Sequence, residues 1–233
     1  MTRGILVAGN ESVLGRAIEV EAAKRVHKYV SAFITNRIAQ PSAPLKEHLP
    51  ERVEESRISL DWNPGSPISA RTLVLAAENR LEHIDEAILV CSPPAVRRPA
   101  SQLLLADVEI LVNDHVKGWF FLVKEIATVF ANRKSGTLAL VYYDATAVQE
   151  SKDDMTDLLG ASAAASFTAF TRSLLMAARG DPYVTMGFSA ATPGDEAGFA
   201  SFLFKHLDEG NMSKNGKLLT YGKLGIKSWW NNR

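Results

Sequence analysis

The chain has 233 residues, of which 46% are hydrophobic, and its 26 basic residues balance its 26 acidic residues. This length suits one domain with a substantial core, and the apolar fraction excludes wholesale disorder. Because the formal net charge is zero, no overall field draws the protein toward nucleic acid or an anionic membrane, and we expect neither as a partner.

Seven short apolar runs indicate β-strands, and helical spacing of apolar residues separates most of them. The predicted strands are Ile5–Ala8, Val30–Thr35, Arg57–Leu60, Ala87–Val90, Thr137–Tyr142, Tyr183–Phe188 and Lys217–Tyr221. The predicted helices are 12–27, 67–83, 101–131, 156–179 and 195–208, and the predicted surface loops are 39–56 and 148–154. Unbroken apolar strands that alternate with helices predict a doubly wound α/β fold: one domain over 1–233, with a mostly parallel sheet and helices on both faces.

A glycine-containing turn follows the first strand and opens the first predicted helix. The turn consists of Gly9, Asn10, Glu11, Ser12, Val13, Leu14 and Gly15. In a dinucleotide-binding fold, such a turn presents backbone N–H groups to a pyrophosphate at the N-terminus of a helix. All of these residues except Glu11 are therefore candidate cofactor-binding residues.

The turn resembles the Thr-Gly-x-x-x-Gly-Ile-Gly motif of the short-chain dehydrogenases/reductases, a family with the Rossmann fold. Gly9 and Gly15 match the outer glycines, whereas Val13 replaces the middle one, where a β-branched side chain impedes close approach of a phosphate. In the Gly-x-x-Gly-x-x-Gly register of the extended relatives, Ser12 replaces the middle glycine. Two interpretations stay open: a dinucleotide site, and a Rossmann turn that has lost its cofactor.

The resemblance covers nearly the whole chain and implies further cofactor contacts at the ends of the strands. No acidic residue ends the second strand, and Arg37 suits the 2′-phosphate of NADP, although a surface arginine is an equal alternative. Asp61, followed by Trp62, matches the Asp that faces the adenine edge in the family. Ser92 and Pro93 stand where the family has Asn-Asn-Ala-Gly.

The catalytic pair of the family is missing. The family carries Tyr-x-x-x-Lys on one helix, where the ammonium lowers the pKa of the phenol. Here the segment 170–174 resembles the Leu-Thr-Arg-Ser-Leu that follows the pair, and counting back places Gly160 at the Tyr and Ala164 at the Lys. None of the five tyrosines is followed four residues later by a lysine. Loss of such an acid/base group typically costs about 10²–10⁴-fold in rate.

Two other residues are weak candidates for a proton donor. His115 replaces the Asn of the family's Asn-x-x-Gly-x-Phe motif, and Tyr143 lies where the family has the second of two serines. A lone histidine is more often structural, so neither residue is assigned a catalytic role.

Two functions are compatible with these residues. The first is a catalytically degenerate relative of the family that acts as an oligomeric scaffold or a dinucleotide-responsive binding protein. The alternative is an NADP-dependent oxidoreductase acting on a carbonyl or alcohol, with His115 or Tyr143 as proton donor and hydride carried by the cofactor.

Partners and location follow from the same features. In the family, the helices equivalent to 101–131 and 156–179 form the dimer core, so we expect a homo-oligomer through them, with intramolecular packing as the alternative. The segment 222–233, with Trp229 and Trp230, is predicted to be a C-terminal arm or a partner-binding peptide. A single cysteine, the lack of a signal peptide and the lack of a long apolar stretch predict a cytoplasmic protein.

Overall fold

Seven parallel strands form one sheet in the computed structural model, which describes residues 3–26, 28–35, 50–144, 157–191, 193–210 and 212–222. The strands are β1 Ile5–Ala8, β2 Tyr29–Ile34, β3 Arg57–Trp62, β4 Glu86–Cys91, β5 Thr137–Tyr143, β6 Val184–Ala190 and β7 Lys217–Tyr221. Their order across the sheet is β3-β2-β1-β4-β5-β6-β7. The order reverses between β1 and β4, and such a switch point opens a crevice at the carboxyl ends of the strands.

Helices cover both faces of the sheet, as the sequence predicts. They are α1 Val13–Ala23, α2 Glu51–Ser56, α3 Pro67–Leu81, α4 Leu105–Val112, α5 Gly118–Arg133, α6 Leu158–Ala177 and α7 Glu196–Asp208. Alternate residues of β1 point to opposite faces: Leu6 and Ala8 join the core beneath α3, α5 and α6, whereas Ile5 and Val7 join the core beneath α1 and α7. No helix among the described residues is long and apolar enough to cross a bilayer.

Two predicted boundaries are wrong. The loop predicted over 39–56 ends in α2, because Pro50 begins a short helix whose first turn carries Glu51 and Glu54 and whose Val53 is buried. The single helix predicted over 101–131 is two helices, joined by a π-helical turn over Asn113–Lys117. The rest of the first loop, all of the loop predicted over 148–154 and nearly all of the tail lie outside the described residues.

Candidate functional site

The two glycines of the turn are required by packing. Gly9 has a φ of 90°, and a Cβ on it would lie 1.9 Å from the carbonyl oxygen of Val90 in β4. A Cβ on Gly15 would lie 2.2 Å from the carbonyl oxygen of Gly9. The positive φ and these close approaches favour glycine at both positions. They explain the motif without reference to a ligand.

Ser12 closes the turn from within. Its hydroxyl donates to the carbonyl oxygen of Gly9 (3.1 Å) and accepts from the backbone N–H of Gly15 (2.9 Å). This is an N-cap for α1, and it engages one of the N–H groups that a helix N-terminus offers to a phosphate. Val13 follows at the first residue of α1 with its side chain 51% exposed, whereas Leu14 is buried in the core.

Asn10 points inward and anchors the turn to the core. Its Nδ2 donates to the hydroxyl of Ser31 in β2 (2.7 Å) and lies 3.5 Å from Oε1 of Glu19 in α1. Ser31 also hydrogen-bonds to Glu19, and all three residues are buried. Burial raises the pKa of the Glu19 carboxyl, which the hydrogen bonds from Ser31 and Asn10 only partly offset. The Asn10 side chain is therefore structural.

The residues of the turn do not fit a tightly held dinucleotide. The backbone has the required glycine conformation, but Ser12 engages one N–H and Val13 puts a β-branched side chain at the helix start. Close approach of a pyrophosphate needs a bare backbone and unengaged N–H groups at this point.

The adenosine end of the crevice holds a carboxylate that sequence analysis missed. Glu11 Oε1 accepts from the backbone N–H of Ile34 (3.2 Å), so an acidic group lies at the end of β2 although none follows in sequence. This carboxylate opposes a 2′-phosphate electrostatically and weighs against the preference for NADP. In the sequence, the position of Glu11 in the turn, two residues after Gly9, could have indicated this carboxylate. Arg37 lies outside the described residues.

Of the two cofactor-binding residues predicted near the end of β3, one is exposed and the other is buried. Asp61 and Trp62 are the last residues of β3 rather than residues that follow it. Asp61 is exposed, whereas Trp62 is only 2% exposed and packs against Trp119 with ring centroids 6.5 Å apart. Trp62 therefore belongs to the core, where no ligand can reach it.

The start of α6 is tied to the segment that follows β4. Asp157 caps α6: its Oδ1 accepts from the backbone N–H of Gly160 (2.9 Å) and from that of Val96 (3.0 Å). Arg97 also forms an isolated antiparallel bridge with Asp157. Ser92 and Pro93, which begin this segment, are partly buried. Sequence analysis missed Asp157, although an Asp three residues before Gly160 matches the spacing of a helix cap.

The position that the resemblance assigns to the catalytic tyrosine is filled by the chain itself. Gly160 is buried, and a Cβ on it would lie 2.7 Å from the carbonyl oxygen of Pro94 and 2.2 Å from Oδ2 of Asp157. Even the first side-chain carbon of a tyrosine would overlap these atoms. The segment after β4 therefore occupies the space where a phenol would leave the helix.

Tyr143, one of the two weak candidates, is held by a carboxylate. Its hydroxyl donates to Glu196 Oε1 (3.1 Å), which also accepts from the backbone N–H of Gly194 (3.0 Å). Burial and the adjacent carboxylate both raise the pKa of Tyr143, the opposite of an activated phenol. The bonds instead tie the end of β5 to the start of α7.

His115 and Tyr142 are buried. His115 lies in the π-helical turn, which packs against α6. Tyr142 also has a cationic neighbour: burial raises its pKa, and this effect outweighs the lowering by Arg172. The ring of Tyr142 packs edge-on against Phe167 in the core. In the described ranges, no group of three or more His, Cys, Asp or Glu side chains could hold a metal ion.

Comparison with solved structures identifies the architecture. A levodione reductase superposes with a TM-score of 0.71 at 13% identity, covering 94% of this chain and 95% of that one. A short chain dehydrogenase from Mycobacterium smegmatis gives 0.70 at 10% identity, covering 94% and 91%. The NADH-dependent reductase A1-R′, complexed with NAD, gives 0.69 at 16% identity, covering 94% of each chain. This chain has the short-chain dehydrogenase/reductase fold.

The fold that the sequence resemblance implies is thus confirmed across nearly the whole chain. No family model matches the sequence, and no curated protein matches it. At these identities the likeness establishes the short-chain dehydrogenase/reductase fold, and activity has to be argued from the residues of the site.

Proposed function

We propose that this protein is a catalytically degenerate form of the short-chain dehydrogenase/reductase fold that acts as a homo-oligomeric scaffold, with at most weak dinucleotide binding. The observation that carries the proposal is the filling of the tyrosine position: the carbonyl oxygen of Pro94 lies where the side chain at Gly160 would begin. Without a positioned acid, hydride transfer to a carbonyl lacks its proton donor.

The two phenols at the end of β5 do not replace the missing acid. Tyr143 donates to Glu196 and has a raised pKa, and Tyr142 is buried in the core. The alternative function, an NADP-dependent oxidoreductase using His115 or Tyr143, therefore has less support. The relative that is complexed with NAD and the glycine conformation at Gly9 favour retention of some dinucleotide affinity.

Exposed apolar side chains support the oligomer. Six of the eleven exposed large hydrophobic residues in the described part of the chain fall in the two segments predicted to form the interface. They are Leu104, Leu105, Val112, Phe120, Leu158 and Met176. Helix α4 packs beside α6, whose outer surface carries the small residues Ala161, Ala165 and Ala169. Small residues permit close helix approach, and exposed apolar area favours burial against a second copy.

Thermal unfolding with NAD(H) and NADP(H) tests the cofactor part of the proposal. A site with a Kd of about 1 mM stabilises the protein by only about 0.4 kcal/mol at 1 mM ligand, which shifts the Tm by about 1 °C. A micromolar site would contribute about 4 kcal/mol under the same conditions and shift the Tm by about 8 °C or more. A shift of the second size, with dinucleotide oxidation or reduction in the presence of a carbonyl or alcohol, would refute the proposal.

A further inference from the structure

Three buried polar side chains link the glycine turn to strand β2 and helix α1. This relay runs from Asn10 in the turn through Ser31 in β2 to Glu19 in α1, and the three residues are 3%, 0% and 1% exposed. Nδ2 of Asn10 donates to the hydroxyl of Ser31 (2.7 Å), which in turn donates to Oε1 of Glu19. Because the relay is buried, a charge on Glu19 has to be stabilised by the relay itself.

The direction of these hydrogen bonds is the one that suits an ionised Glu19. Both bonds point toward the carboxylate, and Nδ2 of Asn10 also lies 3.5 Å from Oε1 of Glu19. The other end of the amide, Oδ1 of Asn10, is buried and has no hydrogen-bond partner among the described residues. The arrangement thus favours the charged acid while leaving one acceptor of Asn10 unsatisfied.

A neutral Glu19 favours the opposite direction. A protonated carboxyl group carries one O–H donor, and a serine hydroxyl both accepts and donates. Ser31 can therefore accept from Glu19 and direct its own proton to Asn10. Asn10 must then present Oδ1 to Ser31 in place of Nδ2, which requires a half-turn of the amide. The same rotation gives Oδ1 the donor that it lacks when Glu19 is charged.

We propose that Glu19 is a proton-responsive switch for the glycine turn, which holds the Asn10 amide in one orientation when Glu19 is charged and in the other when it is neutral. Asn10 follows Gly9, whose carbonyl oxygen binds the hydroxyl of Ser12. A change in the anchor of Asn10 therefore reaches the backbone at the start of α1. An effect on dinucleotide affinity follows as well, and that part rests on the weak binding proposed above.

Charged and titratable groups surround Glu19 on several elements. They are Glu11 in the turn, Tyr29 in β2, Arg57 in β3 and, paired with Arg57 at 3.6 Å, Glu54 in α2. Burial raises the pKa of Glu19; the hydrogen bonds of the relay and Arg57 lower it in part, and Glu11 raises it. Because the net pKa lies above 4.5, Glu19 keeps its proton at a pH at which exposed carboxyl groups have lost theirs. Burial raises the pKa of Tyr29 as well, so its phenol stays neutral.

An NMR titration of the full chain without ligand, from pH 4 to pH 8, tests the switch. The side-chain amide of Asn10 and the backbone amides of Gly9 and Gly15 should shift together, with one midpoint above pH 4.5. NOEs between the amide protons of Asn10 and the methylene of Ser31 should be strong above the midpoint and lost below it. Glu19→Gln should abolish the titration, because glutamine stays neutral.

Two further variants separate the switch from a general effect of charge. Glu11→Gln is the matched control, because it removes the other carboxylate of the turn. It should keep the titration and lower the midpoint, since Glu11 raises the pKa of Glu19. Ser31→Ala should raise the midpoint by about 0.5–1 pH unit, because the lost hydrogen bond is stronger to the charged acid than to the neutral one.

Three results would overturn the switch. These are turn amides that do not titrate above pH 4.5, a titration that is lost in Glu11→Gln but kept in Glu19→Gln, and NOEs from Asn10 to Ser31 that persist across the midpoint. If Glu19→Gln does not fold, Ser31→Ala decides: a raised midpoint supports the switch, and an unchanged one refutes it.

The effect on dinucleotide affinity is measured separately with NADH at pH 5 and pH 8. The affinity of the wild type should differ between the two values, and that of Glu19→Gln should not; an equal pH dependence in both refutes the coupling to the turn. A complete absence of NADH binding bears on the proposed function alone, since the titration without ligand decides the switch.

Discussion

Replacing Gly160 by alanine measures how firmly the chain occupies the position of the missing tyrosine. In a helix interior, alanine is normally more stable than glycine by about 1 kcal/mol, and this is the upper limit of the gain at Gly160, which lies in the first turn of α6. Here the added Cβ would lie 2.2 Å from Asp157 Oδ2 and 2.7 Å from the carbonyl oxygen of Pro94. The carboxylate of Asp157 and the backbone near Pro94 must both move.

The magnitude follows from the bonds that this movement breaks. Loss of the Asp157 cap costs about 1 kcal/mol, and loss of its charge-assisted bond to the N–H of Val96 costs about 1.5–3 kcal/mol. Displacing packed backbone adds about 1–3 kcal/mol. After subtraction of the helix-propensity gain, Gly160→Ala should destabilise the protein by about 3–6 kcal/mol, which lowers the Tm by roughly 6–24 °C for a chain of this size.

Chemical denaturation and thermal unfolding check this value. The matched control is Gly180→Ala, since a Cβ on Gly180 would meet no atom within 4 Å; this variant should unfold within about 0.5 kcal/mol of the wild type. If Gly160→Ala is as stable as the wild type or more stable, the space above α6 is open, and the physical basis for a blocked tyrosine position is wrong.

Three further predictions concern other parts of the molecule. Val13→Gly should tighten NADH binding, measured by fluorescence titration, because it removes the half-exposed β-branched side chain at the start of α1; unchanged or weaker binding would show that Val13 is not the obstacle. Leu105→Glu should convert the oligomer to a monomer, measured by light scattering, because Leu105 is 83% exposed within the proposed interface. The control Ile68→Glu should leave the oligomer intact, because Ile68 is 76% exposed but lies on α3, outside that interface. A monomeric wild type would refute the oligomer proposal. Because the pKa of Glu86 is raised from 4.5 to about 7 in the folded protein, its stabilising contribution is present at low pH and is lost as the pH rises to 7. Relative to Glu86→Gln, the wild type should therefore lose roughly 2–3 kcal/mol of stability between pH 5 and pH 8 in urea unfolding. A pH-independent difference would contradict this.

The parallel sheet could be predicted because its strands are buried on both faces. Segments such as Ile5–Ala8 and Ala87–Val90 are unbroken apolar runs, and the structure places strands at both. The helix α2 could not be predicted, because charge and prolines dominate its local sequence and its formation depends on burial of Val53. The π-helical turn within 101–131 could not be predicted either, because the apolar spacing of this segment is that of a continuous helix.

The site was harder to predict because its decisive contacts are long-range. The spacing before Arg172 located Gly160 in sequence, but only the fold brings Pro94 and Asp157 against it. Likewise, the carboxylate at the end of β2 comes from Glu11 on a different element. Trp62 was predicted to contact a cofactor because it follows Asp61. Successive side chains of a strand point to opposite faces, so Asp61 is exposed and Trp62 is buried in the core.

Label transfer from dinucleotide to substrate tests the central claim most directly. Wild-type protein is incubated with 4-deuterated NADH or NADPH and a panel of aldehydes and ketones, and the alcohols are analysed by mass spectrometry. The account predicts no deuterated alcohol above the protein-free control. Protein-dependent transfer that disappears in Tyr143→Phe or His115→Ala would contradict it and establish an oxidoreductase with a substitute proton donor.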